Sequence, residues 1–139
     1  CAAGLAVIEE IERQGMIANA ERMGSLLKSR LQDLMQRHAI IGDVRGKGLL
    51  LAFEFVADRR TMAPLPASLA AHERFVNIAY DNGLIVYSRR TRGGFEGDHI
   101  LVCPPLIVDE TQIDEIIGLL EVSLRQFTDD IHAALPQSA

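Results

Sequence analysis

Residues 41–56 indicate the fold class most clearly. They read IGDVRGKGLLLAFEFV, and the hydrophobic pattern changes there from a helical to a strand period. Ile40–Val44 and Leu49–Val56 show the short apolar runs and alternation of β-strands. Between them, Gly46-Lys47-Gly48 suits a tight turn or a bulge that needs positive φ, and Arg45 could reach across it. We therefore predict two strands joined by a tight turn.

Two helices are predicted before these strands. Residues 1–15 carry apolar side chains at helical spacing and stop near Gly15, a plausible C-cap. A second helix should run from Met16 to about His38 and bury one long apolar face. His38, at the end of that face, is predicted to be a half-buried cap or a partner of the helix dipole rather than a ligand or base. Because the helical pattern is already present at Cys1, we expect this sequence to be part of a longer chain.

The rest of the chain predicts a mixed order of helices and strands. The predicted elements are, in order, a loop at Ala57–Ser68, a helix at Leu69–Asp81 ended by Asn82-Gly83, a strand at Leu84–Tyr87, an arginine- and glycine-rich loop at Ser88–Gly97, a strand at Ile100–Cys103, and a final helix with Asp109 as N-cap. This order predicts an α+β fold, in which a small, mostly antiparallel sheet is covered by helices on one face.

Composition limits the function classes. The chain has 139 residues and a net charge of -5, which suits one ordinary domain and disfavours a nucleic-acid partner. Two cysteines are too few for a disulfide framework, so a cytoplasmic location is expected. The apolar stretch Ala2–Ile8 is too short to span a bilayer, and no membrane association is predicted.

The sequence lacks the usual motifs of metal sites and phosphate-binding loops. The four histidines are scattered without a ligand spacing, so no metal site is predicted. The segment Gly42–Gly48 resembles a phosphate-binding loop, but it is one residue short and lacks the Ser or Thr after Lys47.

One segment has the composition of an anion site. Ser88–His99 combines three arginines with glycines that let the backbone approach a ligand, and the planar guanidinium matches a carboxylate. The alternative, favoured by composition alone, is a surface loop whose arginines pair with its own Glu96 and Asp98.

The motifs of the chain resemble those of class III aminotransferases, the ω-transaminase and acetylornithine-type group. The matching stretches are CAAGLA at 1–6, IGDVRGKGL at 41–49, GLI at 83–85, GDHI at 97–100 and PPL at 104–106. The resemblance covers nearly the whole chain but only the final third of such an enzyme. It implies that residues 1–139 are the C-terminal small domain of a fold-type I aminotransferase that works as a homo-oligomer, a dimer. Residues 1–38 would then be a helical segment that packs on or links to a large domain absent from this chain.

The same resemblance implies pyridoxal 5′-phosphate (PLP) chemistry, in which a lysine forms a Schiff base and an amino group passes between an amine or amino acid and a keto acid or aldehyde. The two lysines here, Lys28 and Lys47, do not match the Schiff-base position. No catalytic or cofactor-binding residue is therefore assigned to this chain, PLP is not expected to bind it tightly, and the isolated chain should be inactive.

By resemblance, the chain would supply one wall of the substrate pocket. An arginine just before the GD motif binds the substrate carboxylate in ω-transaminases, and Arg90 or Arg89 is the candidate here, with Arg90 preferred. Tyr87 occupies the usual arginine position and the following loop is longer, so the choice among Arg89, Arg90 and Arg92 stays open.

Two motif segments are expected to have supporting roles. Arg45 and Gly46 are expected to be structural, with the arginine bracing the turn. Pro104 and Pro105 would shape the chain near the substrate pocket.

Two other functional classes remain. The chain could be a free-standing anion-binding or regulatory module without catalysis. It could also be a purely structural fragment that exposes a large apolar patch where another domain belongs.

Overall fold

The computed structural model describes residues 1–91 and 96–134. The elements in chain order are α1 (Ala2–Arg13), α2 (Met16–Arg37), β1 (Ile41–Lys47), β2 (Leu50–Phe55), a short 3-10 helix (Ala67–Leu69), α3 (Ala71–Asp81), β3 (Tyr87–Thr91), β4 (Glu96–Val102) and α4 (Glu110–Ala134). In this part of the chain no helix combines the length and apolar character that a membrane span requires.

The strands form an antiparallel sheet in the order β1-β2-β4-β3. β1 and β2 are consecutive strands joined by the predicted turn, while β4 pairs with β2 on one side and β3 on the other. The predicted α+β fold with a small antiparallel sheet is confirmed.

Helices α2, α3 and α4 cover one face of this sheet. Phe53 and Phe55 of β2 meet Phe75 of α3 and Phe127 of α4, with ring centroids 4.5 to 5.7 Å apart. These four rings are fully buried, and edge-to-face packing adds to the stabilisation that their burial gives. The opposite face of the sheet is not covered by the described helices, and Tyr87 on it remains 56% exposed.

The backbone conformation of the β1–β2 turn explains why it contains two glycines. Gly46 has φ +129° and Gly48 has φ +55°, both in regions that favour glycine. The turn also packs tightly against α2, because a Cβ added to Gly24 would lie 2.3 Å from the carbonyl carbon of Gly48. A side chain at Gly24 would therefore push the helix away from the turn.

Helix α3 ends at Asn82-Gly83, as predicted, but the motif that ends it delays the start of the next strand. The Gly83 N–H donates to Tyr80 O and the Leu84 N–H donates to Ala79 O, which together form a Schellman motif with Gly83 at φ +86°. Leu84 is thus part of the helix end. The predicted strand Leu84–Tyr87 is wrong, since β3 begins only at Tyr87.

Helix α1 has an apolar face with no described partner. Leu5, Val7 and Ile8 are 59%, 59% and 56% exposed, and no residue of α1 is buried. By contrast, α2 buries Met23, Gly24, Leu27, Leu31 and Leu34. Beside α1, Val7 and Ile11 line an open groove of about 360 Å³ together with the segment Pro105–Ile107.

Candidate functional site

The arginine-rich segment is a strand over most of its described part. Ser88–Gly97 was predicted to be a loop, but Tyr87–Thr91 forms β3 and pairs with β4 in the register Arg89↔His99 and Arg90↔Asp98. Successive side chains of a strand point to opposite faces, so Arg89 and Arg90 lie on different sides of the sheet. The third candidate, Arg92, lies outside the described residues.

Arg90 points to the helix-covered face, where it meets a buried carboxylate. Its Nε donates to Asp98 Oδ1 at 2.9 Å, and its Nη2 donates to the carbonyl oxygen of Ala67 at 3.3 Å. The Asp98 side chain is 2% exposed and that of Arg90 is 14% exposed. The expected alternative was a surface loop whose arginines pair with Glu96 and Asp98. Arg90 does pair with Asp98, but it does so within a strand and with only 14% of its side chain exposed.

His72 of α3 completes this buried cluster. Its Nδ1 lies 2.6 Å from the same Asp98 oxygen, although the ring is not aligned for a hydrogen bond. The three residues tie α3, β3 and β4 together around one carboxylate. A buried carboxylate needs such compensation, since an uncompensated charge in the interior is strongly destabilising. Sequence reasoning did not identify His72 or the burial of Asp98.

Arg89 points to the uncovered face and has a different environment. Its guanidinium carbon lies 5.1 Å from the centroid of the Tyr87 ring, within cation–π distance. Among the described residues, Arg89 makes no ion pair with a carboxylate. His99 lies opposite it in the register, between the buried positions Asp98 and Ile100, and so faces the same side.

Arg45 has the structural role that was expected. Its Nη1 lies 2.9 Å from Asp43 Oδ2 and 2.6 Å from Glu54 Oε2, which links β1 to β2. These contacts lie on the uncovered face, next to the β1–β2 turn. Arg45 therefore braces the strand pair.

The described residues do not fit a PLP site. Lys28 and Lys47 both border an open groove of about 510 Å³, and the Lys28 amine lies 3.5 Å from the carbonyl oxygen of Gly46. Neither amine lies in a closed cavity, and the Glu21 carboxylate borders the same groove, where it would repel a phosphate. Within residues 1–91 and 96–134, no group of three His, Cys, Asp or Glu side chains could hold a metal ion.

Comparison with known proteins identifies the family. The family model described as Aminotransferase class-III matches residues 1–124. A taurine–pyruvate aminotransferase of Rhodobacter capsulatus is 39% identical over 125 residues, which are 90% of this chain and 27% of that protein. The chain thus spans about a quarter of the length of such a relative.

Solved structures give the same result. A PLP-bound aminotransferase mutant from Vibrio fluvialis superimposes with a TM-score of 0.83 at 31% identity, covering 94% of this chain and 27% of that one. An ω-aminotransferase from Paracoccus denitrificans also has a TM-score of 0.83, at 32% identity and over 94% and 27% of the two chains. The fold, the motifs and the family match agree, and the chain belongs to the class III aminotransferase family.

Proposed function

We propose that this chain is the C-terminal part of a PLP-dependent aminotransferase that transfers an amino group between an amine or amino acid and a keto acid or aldehyde. The observation that carries the proposal is the match of residues 1–124 to the family model. The chain spans about a quarter of the length of a relative that is named as an aminotransferase. The proposed enzyme is a cytoplasmic homo-oligomer.

The cofactor in this proposal is held by residues outside the chain. PLP would supply the electron sink that lets an amino group leave one carbon and join another. Neither Lys28 nor Lys47 is placed to hold it, so the chain alone is proposed to be inactive. Its own contribution is to bind and orient the substrate.

The uncovered surfaces support a role for residues 1–38 as the connection to a large domain. The apolar face of α1 and the adjoining groove at Pro105–Ile107 form a continuous apolar surface without a described partner. Such a surface is typical of an interface with another domain. We propose that the large domain of the same enzyme covers it.

The proposed substrate contact is an arginine of β3, either Arg89 or Arg90. Taurine and pyruvate, the compounds that name one relative, each carry an acidic group, and a guanidinium is matched to such a group. This chain presents both arginines on one short strand beside the GD motif. A substrate contact there would select acidic substrates.

The test compares this chain with the longer protein that contains it, each supplied with PLP. The donors are taurine, β-alanine and an alkylamine without an acidic group. The acceptor is pyruvate, and the α-alanine formed from it is measured. Alanine from the longer protein and none from the isolated chain supports the proposal. Alanine from the isolated chain contradicts its inactivity. Stoichiometric binding of an anion by the isolated chain, with no transamination by the longer protein, would support the anion-binding module instead.

A further inference from the structure

Helix α1 is attached to the rest of the chain more weakly than the other helices. None of its residues is buried, whereas each of the other three α-helices in the described part of the chain buries three or more. Val7 and Ile11 border the open groove at Pro105–Ile107. Among the described residues, the side-chain hydrogen bonds of this helix end join Arg13 and Gln14 to Glu10 of the same helix. A segment with so few buried contacts separates from its neighbours at a low free-energy cost.

Helix α2 is held firmly from its first turn onward. The Asn19 Nδ2 donates to the carbonyl oxygens of Leu106 at 2.8 Å and Val108 at 2.9 Å, in the segment that leads into α4. The Arg22 Nη2 donates to the Asn19 Oδ1 at 2.8 Å and so fixes the orientation of the amide. The residues that follow enter the hydrophobic core. The chain therefore passes from a loosely held helix to a firmly held one across the α1–α2 junction.

The junction between the two helices is Gly15, whose φ of +60° and ψ of +32° lie in the left-handed region. Its N–H donates to the carbonyl oxygen of Glu12 at the end of α1, and its own carbonyl oxygen accepts from the Asn19 N–H at the start of α2, each at 3.1 Å. The N–H lies in the peptide plane before the Gly15 Cα and the carbonyl in the plane after it. The φ and ψ of Gly15 can therefore change without breaking either hydrogen bond. A Cβ at this position would meet nothing within 4 Å, so the surroundings leave room for the change.

We infer that Gly15 is a hinge about which α1 turns relative to the rest of the chain. Its role in the reaction rests on the proposed function: the large domain that covers the apolar face of α1 carries this helix with it, and the rest of the chain tilts about Gly15. Hinges of this kind are a few residues at the ends of elements that absorb the change in φ and ψ. The inference also narrows the predicted connecting segment from residues 1–38 to α1 and Gly15, because α2 belongs to the core of this chain.

The first test measures the distance between two nitroxide labels on the chain by pulsed electron paramagnetic resonance. One label is on Cys103 and the other on Glu9→Cys of α1, in a Cys1→Ser background that leaves only these two thiols. This pair should give a broad distribution of distances, because α1 turns about the hinge. The reference pair is Cys103 with Glu21→Cys in the same background. Glu21 is exposed like Glu9 but lies on α2 beyond Asn19, so this pair should give one narrow distribution.

Gly15→Ala should change the distribution for the α1 pair. Alanine disfavours the left-handed region and favours the helical one, so the distances should shift and become more narrowly distributed. Gly83→Ala is the matched control, because Gly83 also has a positive φ, of +86°, and open space around a Cβ, but lies at the end of α3. It should leave the α1 distribution unchanged. Equally narrow distributions for the two label pairs, or an α1 distribution that Gly15→Ala does not alter, would each overturn the inference.

The longer protein supplied with PLP tests the role of the hinge in the reaction. There, Gly15→Ala should lower kcat for every amino donor by about 3- to 10-fold and change KM as well, because a hinge residue affects the closing of the site for all substrates. Gly83→Ala should change both constants by less than about twofold. Unchanged kinetics in Gly15→Ala would overturn the tilting of the domain about Gly15. A wild-type longer protein that transaminates no donor would overturn the proposed function, while the label distances would still decide whether Gly15 is a hinge.

Discussion

Asp98 of β4 accepts a hydrogen bond from the Nε of Arg90 on β3, at 2.9 Å, on the side of the sheet where the helices pack. His72 of α3 approaches the same carboxylate oxygen. One buried carboxylate therefore fixes the position of the strand that carries both candidate arginines. This relationship holds Tyr87–Thr91, the described first part of the arginine-rich segment, in strand β3.

Replacing Asp98→Asn should destabilise the chain strongly. The substitution keeps the shape of the side chain but leaves Arg90 and His72 without a negative partner, and breaking a buried ion pair costs about 3–5 kcal/mol. Urea unfolding measures the change in the free energy of unfolding. Asp129→Asn, at an exposed position of α4, should change it by less than about 0.5 kcal/mol. Equal effects of the two substitutions would contradict this role of Asp98.

The long helices could be predicted from the sequence, because their apolar side chains repeat at helical spacing. The end of α3 at Asn82-Gly83 and the N-cap Asp109 were also predicted, and Asp109 accepts a hydrogen bond from the Gln112 N–H at 2.8 Å. Strand β3 could not be predicted in this way, since Ser88-Arg89-Arg90-Thr91 has no apolar alternation. Its extended conformation depends on pairing with β4, and the burial of Arg90 depends on a carboxylate eight residues later.

The sequence identifies only some features of the candidate site. The arginine-rich segment was identified as a candidate anion site, but a sequence cannot assign adjacent residues to sheet faces until the strand and its partner are known. Arg59 illustrates the same limit. The sequence predicts that it lies in the loop Ala57–Ser68, yet its guanidinium donates to the carbonyl oxygens of Met35, His38 and Ile41.

Removing the Arg59 side chain should destabilise the end of α2. Its guanidinium donates to the carbonyl oxygen of Met35 in the last turn of α2, and it also donates to the carbonyl oxygens of His38 and Ile41 just after the helix. Leaving a partly buried acceptor unsatisfied costs about 1–3 kcal/mol. Arg59→Ala should therefore lower the free energy of unfolding by about 2–3 kcal/mol, as measured by urea unfolding. Arg60→Ala is the matched control, because the neighbouring side chain is 85% exposed, and its effect should stay below about 0.5 kcal/mol. Two equally small losses would show that Arg59 does not cap the helix.

The contact between α2 and the β1–β2 turn should make Gly24 intolerant of a side chain. A Cβ there would lie 2.3 Å from Gly48, so Gly24→Ala should lower the stability by about 1–3 kcal/mol. Gly118→Ala on α4 offers the reverse case. A Cβ at that helical position meets nothing within 4 Å, and the substitution should raise the stability by about 0.5–1 kcal/mol. Thermal and urea unfolding measure whether Gly24→Ala lowers the free energy of unfolding and Gly118→Ala raises it. A change in the same direction for both variants would contradict the packing described.

Glu121 should make the stability of the α2–α4 contact depend on pH. Burial alone raises the pKa of its carboxyl group, but hydrogen bonds from Arg125 and His38 and the charge of Arg37 lower it more, so the pKa lies below its ordinary value of 4.5. A carboxylate with a lowered pKa stabilises the folded state above the unfolded pKa, and this contribution is lost as the pH falls through the folded value. At pH 7 the free energy of unfolding should be higher for wild type than for Glu121→Gln by about 1–3 kcal/mol. This difference should become smaller as the pH falls below the ordinary pKa of a glutamate carboxyl group. A gap that stays constant with falling pH would contradict the assignment.

We propose above that this chain is a substrate-binding part of an aminotransferase whose Schiff-base lysine lies elsewhere. The most direct measurement adds one equivalent of PLP to the purified chain, reduces the mixture with borohydride and weighs the product by mass spectrometry. No stoichiometric adduct is expected, because neither lysine lies in a site that fits the cofactor. Stoichiometric labelling of Lys28 or Lys47 would contradict it and would show that the chain holds its own cofactor.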